Sequence, residues 1–435
     1  MPLLHFDCRS SDLLADDQRL LLKAWRDRFV AQHAVDFENG KNRDQRLPDD
    51  LPFWALPEQL LHAYEKHREN SELGQVFRIA NGLHDQVDAL LIVAEPAPLL
   101  QVRAVIESGC DPFHNELSRA HRGSKPRTYY LRPDDSSDVI QAVLGRLDRG
   151  GYGDGIAESR WAMVAIAPPP VDGPVDGPVD GPVDGPVDQQ VDGQAPATPS
   201  RSAFERLVFG VLLPRLPTLN DSPATDALPH PFTLICHQDD PLLQRMPESA
   251  HKQMLCVPRS LPLGCQVLSP VVLLPAAFLG FDCVQLLVGA AELNRNLVEA
   301  DFSSNLVLQL LAHAIRGGAQ RRQTHRFVAL DPSLESLCRW ANHACRFDLP
   351  ESIDNESASQ PAPLAVLATR WRVGRQRSDQ LMVDGRPWQD WQADRMSGEF
   401  AADFAELHLP VIEPNALGQL VQWVMIAGQM AAAEG

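Results

Sequence analysis

The chain is 435 residues long, with 57 acidic against 39 basic side chains and a formal charge of −18. That length exceeds what one hydrophobic core organises, and that charge repels nucleic acid and anionic lipid. Eight cysteines, none in a Cys-x-x-Cys pair and most in apolar surroundings, fit a reducing compartment rather than a disulfide scaffold. The N-terminus lacks the basic start and apolar run of a secretory signal. No stretch has the about 20 unbroken apolar residues of a membrane span. The expectation is a cytoplasmic protein with no membrane or nucleic-acid partner.

Asp12–His33 has apolar residues at three- and four-residue spacing (Leu14, Leu21, Leu22, Trp25, Phe29), which predicts an amphipathic helix. Phe37–Pro57 is polar and proline-punctuated, an arm or loop, and Glu58–Leu83 returns to helical spacing. The pattern then alternates. Asp88–Ala94, Arg127–Leu131 and Trp161–Ala167 read as strands, and Pro98–Ser108 and Asp138–Leu147 as helices between them, the signature of a parallel α/β sheet. Val-Asp-Gly-Pro then repeats four times from Val171 to Pro186, within a Pro-rich tract over 168–200. It has no apolar face, and its prolines remove backbone donors, so composition predicts a disordered, inert insertion.

A second alternation follows. A helix is expected over Ser202–Leu213 and strands over Phe232–Cys236 and Met254–Val257. Helices follow over Asp282–Asn296 and Ser303–Ile315, then a strand over Arg326–Leu330. Asp331-Pro332 starts a helix reaching about Arg346, and Leu364–Ala368 is a further strand. The last helix spans Ala416–Ala433, with Asn415 as its expected N-cap. The domains expected are a helical segment 1–84, a smaller α/β lobe 85–215 carrying the insertion 168–200, a larger α/β lobe 228–411, and a closing helix 412–435.

The most apolar long stretch, Leu255–Asn296, contains Val267-Leu268-Ser269-Pro270, Leu273-Leu274-Pro275-Ala276-Ala277, Gly280-Phe281-Asp282 and Leu286-Leu287-Val288-Gly289-Ala290-Ala291. These blocks resemble the "VLS…GLLPAA…G(L/F)D" run of glucose-6-phosphate isomerases. Leu417-Gly418-Gln419-Leu420 is similar to that family's "LGQL" helix. Asn115–Arg119 and Gly123–Arg127 resemble a region of some bacterial members. The three blocks keep the family's order along most of the chain. The resemblance implies two sugar-isomerase (SIS-type) α/β sandwich lobes with parallel five-stranded sheets, and a homodimer.

Aldose–ketose isomerisation requires a cradle of N–H groups for the phosphate, a carboxylate base and a cation. At the place of the family's first glycine loop the chain has Glu95-Pro96-Ala97-Pro98. At the place of its second phosphate loop stand Pro168-Pro169-Pro170 and the repeat. The resemblance puts Gly264 where the family has its arginine, Phe347 where it has its base and Arg377 near its ring-opening histidine. The family's C-terminal lysine lies beyond the end of this sequence. The expectation is a relative whose isomerase reaction is lost or vestigial and for which a sugar phosphate is a doubtful ligand. It would pair with itself or with an active paralogue, or bind a metabolite. The alternative is a working isomerase of glucose 6-phosphate and fructose 6-phosphate with relocated catalytic groups. A third is a decaying gene product.

Other clusters give bland readings. Cys338, His343 and Cys345 lack a zinc spacing and a fourth ligand. No metal or cofactor is expected. Asp348, Glu351 and Asp354 read as a solvated acidic loop, and Arg316, Arg321, Arg322, His325 and Arg326 as a connector. Arg119, Arg122, Lys125 and Arg127 read as a local structural group, with anion binding as the alternative. His84, His114, His237 and His251 are isolated in sequence, and no Ser/His/Asp arrangement is readable.

Overall fold

The computed structural model describes residues 4–7, 14–32, 47, 51–149, 160–169, 201–216, 230–318, 323–345, 365–375, 381–388 and 404–434. Phe347, Arg377, the tract from 170 to 200, the acidic loop, Arg321 and Arg322 lie outside the described residues, as does the side chain of Arg316.

The first half builds one sheet. Strand β1 (His5–Asp7) and helices α1 (Asp16–Gln32), α2 (Leu56–His67) and α3 (Glu72–His84) precede it. Then come β2 (Ala89–Val93), α4 (Pro96–Gly109), β3 (Arg127–Leu131), α5 (Ser137–Arg149) and β4 (Trp161–Ile166). After the tract, α6 (Arg201–Glu205) runs on as a π-helical segment, Arg206–Leu212, and leads to β5 (Phe232–Cys236) and β6 (Met254–Cys256). These strands form a five-stranded parallel sheet in the order β3-β2-β4-β5-β6. The expected lobe boundary between 215 and 228 therefore moves. The sequence pattern puts residues 232–236 and 254–256 in the larger lobe, yet they pair with the first sheet.

Both faces of this sheet are covered, so the inner strands β2 and β4 read as unbroken apolar runs, whereas the edge strand β3 carries Arg127 and Thr128. Side chains alternate between two cores. Leu90, Ile92, Val164 and Ile166 face the central core with α4, while Leu91, Val93, Met163 and Ala165 face a satellite core with residues of α5 and Phe204.

The second half places α7 (Pro270–Phe278), α8 (Cys283–Glu299), α9 (Leu306–Gly318), β7 (Gln323–Ala329) and α10 (Glu335–Ala344) before β8 (Ala365–Arg375). The hairpin strands β9 (Met382–Val383) and β10 (Arg386–Pro387), then β11 (Phe404–Val411) and α11 (Pro414–Glu434), close the chain. The second sheet has the order β1-β11-β8-β7 among the described residues. Its β11, β8 and β7 are parallel, but the edge strand β1 is antiparallel. The first sheet is the parallel five-stranded sheet that the resemblance implies; the second departs from it, with four strands among the described residues and an antiparallel edge strand supplied by residues 5–7.

The apolar stretch at 267–281 is helical over Pro270–Phe278. Ser269 caps α7 by accepting the Val271 N–H at 3.3 Å, and Asp282 caps α8 by accepting the Gln285 N–H at 3.0 Å. α8 and α11 cross with backbones in contact: a Cβ on Gly289 would strike the Asn415 carbonyl, and one on Gly418 the Leu286 carbonyl. The "LGQL" glycine is thus a packing residue. Its neighbour Gln419 accepts the Leu4 N–H at 2.9 Å and donates to Glu292 at 3.1 Å, tying the N-terminal strand to this crossing. Asn415 does not cap α11. It lies inside the helix, where its amide donates to Glu292 at 3.3 Å. No described helix is long and apolar enough to cross a membrane.

Candidate functional site

In an open parallel sheet, ligands bind beyond the carboxyl ends of the strands where the strand order reverses. Here the chain passes from β2 outward to β3 and returns to β4 on the other side of β2, so the reversal lies at the ends of β2 and β4. A cleft of about 170 Å³ opens there, lined among others by Glu95, Pro168, Pro169, His237, Arg259 and Gln266.

Glu95 follows β2 and stands at the N-cap position of α4, with φ −64° and ψ 165°, but its carboxylate makes no capping bond. Pro96 and Pro98 occupy the first turn of α4, where each lacks the N–H that a phosphate would accept. Helix α4 begins at Pro96, ahead of the Pro98 start that its sequence periodicity suggests. Pro96 is well placed there, because its missing donor is unpaired in any helix. Glu95 is only 6 % exposed. Burial, then the nearby Asp134 carboxylate, raises its pKa above the ordinary value.

Pro168, just after β4, is tied to the start of α6. Arg201 donates to the Pro168 carbonyl at 2.8 Å and pairs with the buried Asp240 carboxylate, which also accepts the Leu242 N–H at 2.8 Å. Pro168 and Pro169 line the cleft.

The opposite wall comes from β5, β6 and the turn before α7. His237 Nδ1 donates to the Val257 carbonyl at 2.8 Å. A carbonyl can only accept, so in the neutral ring Nε2 carries the lone pair. Gln101 of α4 fixes the turn: its carbonyl accepts the Gln266 N–H at 2.7 Å, and its amide donates to the Leu263 carbonyl at 2.5 Å. Arg259 is exposed at the mouth. Burial pushes the Cys236 thiol far up, so it is a wall atom and not a nucleophile.

Three further sequence candidates sit elsewhere. Gly264 is in the turn Leu263–Cys265 and is not part of the cleft wall; its carbonyl accepts the Trp340 indole N–H at 3.2 Å. A Cβ there would meet Ala344 only at ordinary contact distance, so glycine is not sterically required. Cys338 and Cys345 are buried, with thiols pushed well up by burial, whereas His343 is exposed. Arg122 and Arg127 pair with the fully buried Asp88 at 2.5 and 2.8 Å, and Arg119 reaches it at 3.3 Å. That group lies before β2, at the end of the sheet away from the cleft, and it does the structural job.

His237, Arg259 and Gln266 line the site although no local motif in the sequence marks them for it. Their signal is positional: His237 directly follows β5, and Arg259 lies shortly after β6. That signal becomes readable only once both strands are known to belong to the first sheet.

Neither a protein-family model nor a curated protein matches the sequence. Solved structures do match the fold. A hypothetical protein from Thermus thermophilus superposes with a TM-score of 0.63 at 16% identity, over 99% of this chain and 94% of that one. A glucose-6-phosphate isomerase from Chlamydia trachomatis superposes with a TM-score of 0.55 at 12% identity, over 97% of this chain and 80% of that one. The chain therefore has a fold like that of glucose-6-phosphate isomerase.

Proposed function

We propose that this chain is a non-catalytic relative of the glucose-6-phosphate isomerases, whose cleft takes a small metabolite other than a sugar phosphate. The observation that carries this reading is the make-up of the two loops at the strand reversal. Glu95, Pro96 and Pro98 fill the first, and Pro168 and Pro169 begin the second. A dianionic phosphate needs convergent N–H donors and a local positive field. It would meet a carboxylate in a low-dielectric cleft and prolines that donate nothing. Each preorganised donor removed costs about 10²–10³ in rate. The cleft volume of about 170 Å³ is also smaller than the roughly 300–1,000 Å³ typical of ligand pockets. Pairing with a second copy, or with an active paralogue, belongs to the same proposal and is read by the mass of the purified protein in solution.

One observation favours a second reading, an aldose–ketose isomerase with relocated groups. A carboxyl of raised pKa, an imidazole of fixed tautomer and a guanidinium line one cleft, and these are the residue types such a reaction uses. Two measurements separate the readings: conversion of fructose 6-phosphate to glucose 6-phosphate, coupled to a dehydrogenase, and calorimetric titration with either ester. The first reading expects no turnover and no binding. Turnover abolished by Glu95→Gln would establish the second.

A further inference from the structure

Glu95 and Gln266 are each 6 % exposed, and both line the cleft. Among the described residues neither side chain has a hydrogen-bond or ion-pair partner. Their stems are buried while their polar ends open on the cleft, so both groups are available to a ligand there. Arg259, at the mouth, is likewise without an ion-pair partner among the described residues. His237 adds one ring-nitrogen acceptor to the wall, and most of the remaining surface is aliphatic, from Ile166, Ile235, Val257, Leu261 and Val271.

The chemistry of the ligand follows from this inventory. A carboxylate and a guanidinium in one cleft balance to zero, so a dianion or a dication would leave one of them opposed. A polyol would set several hydroxyls against a mostly aliphatic wall, where only His237 and Gln266 add to the two charged groups. What fits is one cationic donor for Glu95, one anionic acceptor for Arg259, and a short aliphatic body between. Gln266 can serve either end, since its amide both donates and accepts.

We infer that the cleft at the ends of β2, β4, β5 and β6 is a binding site for a small aliphatic amino acid, its ammonium on Glu95 and its carboxylate on Arg259. This rests on the reading of the chain as a metabolite-binding, non-isomerising relative. The ammonium also offsets the cost of keeping Glu95 charged in a buried place.

The test is calorimetric titration of the full chain with L-valine and L-leucine, and with two half-ligands, isobutylamine and 3-methylbutanoate. Fructose 6-phosphate is titrated alongside. The expected result is saturable binding of an amino acid. Each half-ligand, and each of Glu95→Gln and Arg259→Gln, should weaken it by about ten- to a hundredfold, the loss of one charge-assisted hydrogen bond. Arg259 is exposed, so its replacement leaves the fold intact, and near-ultraviolet circular dichroism verifies this for both variants. Silence toward the amino acids by a folded chain overturns the inference. Amino-acid binding that both substitutions leave unchanged overturns it too, by placing the site elsewhere. Silence toward the amino acids and the sugar phosphate together sinks this inference while leaving the non-isomerising reading in place. Binding of fructose 6-phosphate sinks that parent reading as well.

Discussion

The two ends of the first sheet carry similar charged residues and use them in opposite ways. Before β2, Asp88 is fully buried and three guanidiniums converge on it. Those arginines also donate to backbone: Arg122 to Leu117 at 2.5 Å, Arg127 to Asn115 at 3.0 Å and Arg119 to His84 at 3.2 Å. After β2, Glu95 has little exposed area but turns its carboxylate to the cleft, unpaired among the described residues, and Arg259 stands at the cleft mouth. Satisfied charges fix a loop, whereas unsatisfied ones at a strand reversal invite a ligand. Charge density along the sequence points to the wrong end, because the cations at Arg119, Arg122, Lys125 and Arg127 stand out and a lone Arg259 among prolines does not.

Breaking the satisfied end should have the largest effect. Asp88→Ala strands buried guanidinium charge, and losing one partner of such a group costs about 3–5 kcal/mol. Urea denaturation measures it. A loss under about 1 kcal/mol, the scale of an exposed pair, would mean the cluster does not hold the loop. Next comes Gly418→Ala at the α8–α11 crossing, where the added methyl meets the Leu286 carbonyl. Overpacking of this kind costs about 1–3 kcal/mol, read as a lowered denaturation midpoint at unchanged slope.

Gln101→Leu tests the wall of the cleft. It leaves the Gln266 N–H and the Leu263 carbonyl without their side-chain partner, at about 1–3 kcal/mol for each group that stays buried. It should also abolish ligand binding, since the turn carrying Gln266 loses its tie to α4.

The smallest effect is a gain. Burial raises the Glu95 pKa above 4.5, so between pH 4.5 and that raised value the folded state holds a proton that the unfolded state has released. Stability attributable to this residue therefore falls as pH rises through that window, and stays lower above it. Glu95→Gln removes the effect: the variant should be the more stable one at neutral pH in the absence of ligand, with the advantage gone below pH 4.5. Thermal melts across pH read it, and an unchanged pH profile would mean Glu95 is not buried as a charge.

Much of the architecture was legible in the sequence because parallel strands covered on both faces must be apolar throughout. The runs at 89–93 and 161–166 have this character, 232–236 departs from it only at Thr233, and each is a strand. Two kinds of feature were not legible. Pairing over long distances leaves no local mark, so the membership of β5 and β6 in the first sheet, and of β1 in the second, could not be read. The hydroxyl or amide that caps a helix also competes with other uses: Asn415 looks like a cap, but the tight crossing at Gly289 draws its amide to Glu292. For the cleft, Glu95 and the prolines around it stand out in the sequence, and all but Pro96 are found in its lining. His237, Arg259 and Gln266 needed the sheet order before their neighbourhood meant anything.

The central proposal is that the strand reversal does not cradle a phosphate. Titration of the purified full chain with fructose 6-phosphate, followed by heat of binding, tests it most directly. The account predicts no saturable signal, and the same silence with Glu95→Gln, because restoring neutrality does not restore the N–H donors that Pro96 and Pro98 lack. Saturable binding of the ester by the wild-type chain, weakened by Arg259→Gln, would contradict it.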